Sequence, residues 1–344
     1  MTGSKDWFAR IVAAVFMAAL ATSSARVLAA ERSDPVPPVA PPATPVVDRR
    51  IAITFDDVPW VMLRNAPPAD MAAKHARLIA SLKQADVPAI GFVNEGLLYA
   101  GNTLRPERVR MIEDWLGAGF ELGNHTRWHS DLNAVGVRRF KHDILDGERI
   151  LRPMLAKRGA KPRWFRYPLL RTGATIEDKA AVEAFLRKHG YRVAPVTVNS
   201  SEWVFALAYR RALDAHATDD TLQRLRDAYV AYMQAKIEYY ERRSVDLLGH
   251  EIPQVLLLHA NELNADACTA LVSAIRTRGY RFVDLAEATR DPAYQLTDTY
   301  TGALGTSWIH RWAKSEGRPD AFHFGEPRTP EWIIELAGVS PSFE

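Results

Sequence analysis

Four short groups of side chains in this sequence have the types and spacing needed for hydrolytic or metal chemistry. Each group lies at or just beyond a predicted strand, and side chains that follow the carboxyl ends of parallel strands converge on one face of a barrel. The sequence therefore predicts one site built from several chain segments. In chain order the groups are Asp56-Asp57, His125 with His129, Arg166 between two aromatic residues, and His259.

The adjacent carboxylates and the histidine pair together predict a metal site. Asp56 and Asp57 point in different directions at a strand end, so one can bind a metal while the other acts as a base. A turn with a helix cap would use the same two residues. His125 and His129 are four positions apart, which on a helical turn places both imidazoles on one side, as a chance surface pair also would. Two histidines with one aspartate leave coordination positions open for water and substrate.

Arg166 and His259 each allow two interpretations. Arg166 is either a solvated charge or a guanidinium held against a carboxylate, and the flanking Phe165 and Tyr167 favour the second. His259 ends an apolar run at residues 256–258. It is either a satisfied core residue or a general acid that titrates near neutral pH.

The elements that position these groups alternate between strand and helix patterns. Such alternation predicts an α/β fold with parallel strands. The predicted strands lie at residues 51–55, 89–93, 120–124, 164–167, 193–198 and 254–258, the last being the final strand. The predicted helices lie at residues 71–84, 108–118, 140–156, 180–189 and 268–278.

Two segments interrupt or follow this alternation. Residues 205–243 carry apolar and aromatic side chains three or four positions apart and no strand pattern, which predicts a helical insertion between two barrel strands. Its aromatic side chains are expected in the core. Residues 291–344 show no clear period and are expected to pack on the domain as a C-terminal extension.

The amino-terminal residues predict export. Lys5 and Arg10 precede or open an apolar run at residues 11–21, and small residues follow near position 30, as in a secretory signal peptide. An uncleaved membrane anchor is the alternative. Residues 31–47 are rich in proline and predict a stiff linker. We therefore expect a periplasmic or secreted protein with no stable membrane association after signal cleavage.

Composition excludes several classes of partner and site. The formal net charge of the 344 residues is +3, too balanced for a nucleic-acid partner. Cys268 is the single cysteine, which excludes an intrachain disulfide and a cysteine-built zinc site, and we expect it to be buried and inert. The histidines His75, His142, His189 and His216 fall on predicted helix faces or ends, where solvated roles are expected.

Taken together, the chemical groups resemble the polysaccharide deacetylase, or NodB-homology, family over roughly residues 48–290. The matching order is Thr54-Phe55-Asp56-Asp57, then His125 with His129, then Arg166 with Pro168, then Leu258-His259. The resemblance implies a distorted (β/α) barrel with a divalent metal, often zinc. It also implies that Asp57, His125 and His129 bind the metal, that Asp56 is the catalytic base oriented by Arg166, and that His259 protonates the leaving group.

The chain departs from the family pattern in two places. Leu169 follows Pro168 where the family has tyrosine. In the family, the oxyanion contact at this position is a backbone N–H, so the resemblance implies that Leu169 can still supply it. Glu202-Trp203 stands where the family often has Asp-Trp, and the resemblance implies that Glu202 orients His259.

The expected function is metal-dependent removal of acetyl groups from an N-acetylated amino sugar or polysaccharide, with a carbohydrate or other acylated molecule as substrate. A deformylase, an O-deacetylase or a small-molecule amidase would use the same residues. A catalytically silent carbohydrate-binding relative is the non-enzymatic alternative.

Overall fold

The apolar run predicted at residues 51–55 forms a central strand, β1 (Arg50–Val58), which continues through both aspartates. The computed structural model describes residues 48–61 and 70–341. The expected signal peptide and the proline-rich linker therefore lie outside the described residues. β1 is buried along nearly its whole length, as expected for a strand in a parallel sheet with both faces covered.

The strands after β1 follow most of the predicted apolar runs. They are β2 (Ala89–Val93), β3 (Tyr99–Ala100), β4 (Thr103–Leu104), β5 (Glu121–Asn124), β6 (Trp164–Phe165), β7 (Arg192–Val193), β8 (Gln254–His259) and β9 (Arg281–Phe282). The prediction that residues 254–258 are the final strand is wrong, because β9 follows and pairs with the start of β1. β3 and β4 form a separate antiparallel pair.

The main sheet is parallel throughout and curls toward closure. Its order is β7-β6-β5-β2-β1-β8, with β9 beside β1. The segment that begins with β7 reaches both edges. Ala194 N donates to Phe165 O at 2.8 Å in β6, and Val198 N donates to Val255 O at 3.0 Å in β8. The predicted distorted (β/α) barrel is confirmed, and its strand ends converge on one side of the molecule.

Helices cover the outside of this sheet. They are α1 (Met71–Gln84), α2 (Pro106–Gly117), α3 (Leu132–Asp146), α4 (Leu151–Ala156), α5 (Ile176–Lys188), α6 (Glu202–Asp214), α7 (Asp219–Leu248), α8 (Glu262–Thr277), α9 (Leu285–Ala288), α10 (Trp308–Ser315) and α11 (Glu331–Ala337). Side-chain caps open several of them, because Asp131, Thr175 and Asn261 each accept a hydrogen bond from a first-turn N–H. In the part of the chain that the structure describes, no helix is long and apolar enough to cross a membrane.

The single helix predicted at residues 140–156 is divided into α3 and α4. Pro153 has no N–H to donate to the carbonyl oxygen of residue 149. One continuous helix over residues 140–156 would therefore lose a hydrogen bond at this point. A Cβ on Gly147 would lie 2.7 Å from the carbonyl carbon of Thr126, so the turn between the helices packs directly on the loop after β5. Glu95 Oε2 then accepts the N–H groups of Ile150 and Leu151, which opens α4.

The helical insertion predicted between two barrel strands is present as two helices, α6 and α7, between β7 and β8. Its aromatic side chains lie in the core, as predicted: Tyr229, Tyr232 and Tyr240 are buried with Met233 and other apolar residues. The tail after residue 291 also packs on this core, through Trp308 and Trp312 among others.

Candidate metal centre and its cleft

Asp56 and Asp57 occupy the carboxyl end of β1 in different backbone conformations. Asp56 continues the strand and is the direct neighbour of His259, which ends β8. Asp57 has φ 56°, a left-handed value that an aspartate adopts more readily than most residues. Both carboxylates are buried and both line one cleft. The two side chains are therefore separated for different contacts, as the sequence predicted.

His125 and His129 lie on a loop after β5, and the prediction of a helical turn is wrong. Thr126 has φ 64° and His129 has φ 49°, which no α-helix accommodates. The two rings nevertheless meet, with centroids 5.0 Å apart and planes at 73°. The left-handed backbone at Thr126 and His129, and not the 3.6-residue period of a helix, brings the two imidazoles together.

A buried carboxylate that the sequence analysis did not single out holds this loop. Asp143 on α3 accepts hydrogen bonds from the backbone N–H groups of Arg127 (3.0 Å), Trp128 (2.8 Å) and Ser130 (3.2 Å). Such a set of donors fixes a loop that has no secondary structure of its own. Helical spacing gives Asp143 no distinguishing pattern, so only the folded structure identifies its role.

Two side-chain caps complete the loop. Asn124 Oδ1 accepts from Thr126 N at 2.7 Å, and Thr126 Oγ1 accepts from His129 N at 3.0 Å. The Asn124 amide in turn donates to the hydroxyl of Tyr191 at 2.9 Å. The histidines therefore project from a backbone that is held at nearly every residue.

Asp57, His125 and His129 form a group that can hold a metal ion. One ligand atom from each lies within 4.8 Å of the others, and His129 Nε2 is 3.8 Å from Asp57 Oδ1. His125 Nδ1 lies 2.9 Å from the carbonyl oxygen of Arg166, which can only accept, so Nδ1 carries the proton and Nε2 has a free lone pair. Asn94 Nδ2 donates to Asp57 Oδ1 at 3.0 Å. This outer hydrogen bonding is what protein metal ligands require.

Electrostatics favour the metal-binding protonation states of Asp57 and His125. Burial would raise the pKa of Asp57, but His129, His125 and His259 together hold it below its usual value. Burial lowers the pKa of His125, which keeps its imidazole neutral. An anionic carboxylate and neutral imidazoles are the forms that bind divalent metals, and two nitrogens with one oxygen suit zinc.

Arg166 lies against Asp56, as the flanking aromatic residues indicated. Its Nη1 donates to Asp56 Oδ1 at 3.2 Å, and its Nη2 donates to Thr54 Oγ1 at 3.0 Å. Nε donates to the carbonyl oxygen of Ala194 at 3.0 Å, and the guanidinium stacks on Phe92 at 4.5 Å. The guanidinium is fully buried, so these contacts fix it and the Asp56 carboxylate together.

His259 is oriented by Glu202 at the start of the helical insertion. His259 Nδ1 donates to Glu202 Oε2 at 2.8 Å, which leaves Nε2 for the cleft. Burial lowers the pKa of His259, but the hydrogen bond and charge of Glu202, with Asp57 and Asp56, outweigh it and raise the pKa to about 9. A histidine with that pKa is protonated at neutral pH and can donate a proton.

Leu169 lies at the same cleft, in the short turn Pro168–Leu170. Its φ of 56° turns the backbone sharply, and its side chain is about half exposed. A backbone position that faces a cleft can serve as an N–H donor whatever its side chain, so the replacement of tyrosine by leucine keeps that possibility.

The cleft that holds these groups has a volume of about 1170 Å³ and a wall that the sequence analysis missed. The wall comes from the C-terminal tail, through Tyr300, Lys314, His323 and Arg328, and from Lys236 on α7. The tail has no periodic pattern, and His323 and His310 were not among the candidate histidines. Only tertiary packing places His323 at the cleft and His310 against Tyr239 of the insertion.

Two residues outside the site, His75 and Cys268, also had predictions from the sequence. His75, expected to be solvated, is only 1% exposed, because it follows Met71 and precedes Leu78 on the buried stripe of α1. That spacing was visible in the sequence. Cys268 is buried, and burial raises the pKa of its thiol to about 12, which makes it a poor nucleophile.

Comparison with known proteins finds a family model that matches part of the chain. Residues 43–194 match the family model for polysaccharide deacetylase. Among curated proteins, none matches the chain.

Similar solved structures share low sequence identity. A polysaccharide deacetylase from Bacillus cereus is 17% identical, with 69% of this chain and 91% of that chain covered and a TM-score of 0.45. A family 4 carbohydrate esterase from Streptomyces lividans, in complex with acetate, is 19% identical over 68% and 92%, with a TM-score of 0.42. A CE4 family pseudoenzyme from Bacillus anthracis is 14% identical over 70% and 65%, with a TM-score of 0.45.

Proposed function

We propose that this chain, whose residues 43–194 match the polysaccharide deacetylase family model, hydrolyses acetyl groups from an N-acetylated amino sugar or polysaccharide with the help of a divalent metal. One observation carries the proposal. A two-histidine, one-aspartate group lies beside a second aspartate that a buried arginine fixes, and a protonated histidine ends the neighbouring strand.

Asp57, His125 and His129 would hold the metal, and zinc is the ion we expect for this donor set. When bound, a divalent ion supplies Lewis acidity, which polarises the acyl carbonyl and makes a water more acidic. Asn94 and the Arg166 carbonyl orient the ligands from behind.

Asp56 acts as the base in this proposal. Its carboxylate takes one proton from the attacking water while the water oxygen bonds to the acyl carbon. Arg166 keeps that carboxylate in one orientation through Nη1 and prevents its rotation through the contacts to Thr54 and Ala194. The backbone N–H of Leu169 would face the oxygen on which negative charge develops.

His259 acts as the acid. The bond between the acyl carbon and the sugar nitrogen breaks as His259 Nε2 donates its proton to that nitrogen, which leaves as the free amine with acetate as the second product. Glu202 fixes the ring and keeps it protonated by its hydrogen bond to Nδ1. The positions of Asp56 and His259 as direct neighbours on β1 and β8 support this division of roles.

We further propose export to the periplasm or secretion, on the basis of the charged, apolar and small residues in segment 1–30. Sequencing the amino terminus of the protein from the envelope and medium fractions tests this. A new terminus near residue 31 is expected. The full-length terminus in the cytosolic fraction contradicts it.

A substrate panel tests the reaction itself. The full chain, loaded with zinc, is assayed for acetate and formate release from chitin oligomers, peptidoglycan fragments, acetylated xylan and simple amides. Acetate from an amino-sugar substrate is expected, abolished in Asp56→Asn and retained in the exposed control Asp220→Asn. Formate release, or acetate from xylan alone, would replace the proposal with a deformylase or an esterase. No release from any substrate would favour a silent carbohydrate-binding protein.

A further inference from the structure

The turn Pro168–Leu170 at the cleft has a backbone that its own residues do not favour. Leu169 has φ 56° and Leu170 has φ 53°. Leucine rarely adopts this left-handed region, because its Cβ crowds the backbone there, and such residues persist only where the surrounding structure over-determines them. The proposed reaction uses the N–H of Leu169. What holds the turn therefore also decides where that donor lies.

The C-terminal tail contacts this turn through Arg311 on α10. The Arg311 side chain is fully buried, although the proposed reaction gives it no role. Its Nη1 donates to the carbonyl oxygen of Leu170 at 3.2 Å, and its Nη2 donates to Thr172 Oγ1. One guanidinium thus binds the last residue of the turn and the residue two positions beyond it. These contacts restrict the backbone that follows Leu169.

Arg311 is itself held in one orientation. Its Nε donates to Asp298 Oδ2 at 2.9 Å, and its Cζ lies 4.3 Å from the ring centroid of Trp308 and 5.2 Å from that of Tyr300. Burial would raise the pKa of Asp298, but Arg311 and Lys179 together hold it below its usual value, so the carboxylate is charged. A planar guanidinium with an ion pair on one edge and aromatic rings beside it has little freedom to turn.

Gly305 brings the tail backbone against the same turn. A Cβ at this position would overlap the carbonyl oxygen of Leu169 and would lie 2.8 Å from Leu170 Cβ, so only glycine permits the approach. The tail is anchored just beyond this point, because Ser307 Oγ donates to the carbonyl oxygen of Thr197 at 2.6 Å. The turn is therefore enclosed by backbone on one side and by Arg311 on the other.

We propose that Arg311 is a positioning residue for the reaction and that, with Gly305, it holds the turn Pro168–Leu170 in the conformation that presents the Leu169 N–H to the cleft. This role rests on the proposed function, in which that N–H faces the oxygen where negative charge develops. Arg311 and Gly305 both lie outside residues 43–194, the segment that matches the family model. The tail then has a role in the reaction as well as in the core.

Two variants of the full, zinc-loaded chain test this role, each with a matched control. Arg311→Lys keeps a charge beside Asp298 but lacks the planar fork that reaches the turn. Its control is Lys179→Met, which removes the second cation of Asp298 and leaves the contacts of Arg311 in place. Gly305→Ala pushes the tail away from the turn. Its control is Gly117→Ala, because a Cβ on Gly117 would meet no atom within 4 Å.

For each protein, kcat and KM for acetate release are measured on the best substrate of the panel. The zinc Kd and the urea unfolding curve are measured on the same samples.

Arg311→Lys and Gly305→Ala are each expected to lower kcat about 10- to 100-fold, because a displaced oxyanion donor weakens a contact made in the transition state. KM and the zinc Kd should stay near their wild-type values, since neither depends on that contact. Lys179→Met should lose stability but keep its kcat, and Gly117→Ala should match the wild type.

Wild-type kcat in a folded Arg311→Lys protein overturns the role. So does a loss of kcat in Lys179→Met as large as in Arg311→Lys, because both would then act only through stability. If Arg311→Lys does not fold, the kcat of Gly305→Ala decides in the same way.

Failure of the proposed function gives a different result, namely no acetate from any substrate with the wild type. Hydrogen exchange of the peptide that spans the turn then decides. Leu170 N donates to Tyr167 O at 3.1 Å and Arg171 N donates to Pro168 O at 3.2 Å, so both amides are protected while the turn is held. Exchange about tenfold faster in Arg311→Lys, with Lys179→Met unchanged, supports the hold on the turn. Wild-type exchange in Arg311→Lys overturns it.

Discussion

Nδ1 of His259 donates to Glu202 Oε2 at 2.8 Å, and this contact joins the helical insertion to the catalytic end of the barrel. The other carboxylate oxygen, Oε1, accepts from Asn261 and Asn264, each at 2.6 Å. Asn264 is held in turn by the hydroxyl of Tyr229 on α7. The insertion therefore contributes to the orientation of the proposed acid as well as to the core.

Replacing Glu202 should change the pH dependence of the reaction. His259 has a pKa raised to about 9, so a reaction that needs its proton is active below that pH and declines as pH rises through it. Glu202→Gln removes the negative charge, lowers the pKa of His259 and shifts the alkaline limb of kcat/KM down by about one pH unit or more.

The measurement is the full pH profile of both proteins, with the exposed Glu113→Gln as the control. The control should follow the wild type. An alkaline limb that stays in place in Glu202→Gln would show that His259 is not the acid that sets it.

Asp143 should control metal affinity without touching the metal. Asp143→Ala removes the acceptor of three backbone N–H groups and lets the histidine loop relax. Loss of outer-shell support weakens metal binding about 10- to 100-fold. Asp143→Asn retains one acceptor oxygen, so its metal affinity should lie between those of the wild type and Asp143→Ala.

Competition of each protein with a chelating dye for zinc measures this affinity. Circular dichroism of the same samples checks that the fold is retained. Wild-type affinity in a folded Asp143→Ala protein would mean that the histidines need no support from α3.

The Arg166–Asp56 pair should show strong thermodynamic coupling. Arg166→Met leaves a buried carboxylate without its cation, and breaking a buried pair from one side costs about 3 kcal/mol of unfolding free energy. Asp56→Asn added to Arg166→Met removes the unpaired charge and recovers at least ~1 kcal/mol.

Urea unfolding of the wild type, both single variants and the double variant gives the coupling directly. Activity should stay absent in the double variant although stability recovers, because the base is gone. Strictly additive losses of stability would contradict the coupling.

The sequence predicted much of the barrel because its elements carry local patterns. The helix at Met71–Gln84 and the strand at Ala89–Val93 were predicted with the observed bounds, since each has a clean period and a clear boundary. The single helix predicted at residues 140–156 was wrong because the prediction ignored Pro153 and the close approach of Gly147 to the loop after β5.

The sequence motifs indicated which side chains meet, while the way they meet depended on tertiary contacts. His125 and His129 converge through left-handed backbone residues that the spacing did not predict. The supporting residues Asp143 and Asn94 have no local pattern. These residues act only through segments distant in sequence, so single-sequence periodicity carries no information about them.

Zinc titration of chelator-stripped protein tests the central claim most directly. On the best substrate of the panel, acetate release should be absent without metal and rise linearly to a plateau at one zinc per chain. His129→Ala should stay inactive throughout, and the exposed His142→Ala should match the wild type. Turnover by the stripped protein, or equal zinc-dependent turnover by His129→Ala, would contradict a metal-dependent deacetylase built on Asp57, His125 and His129.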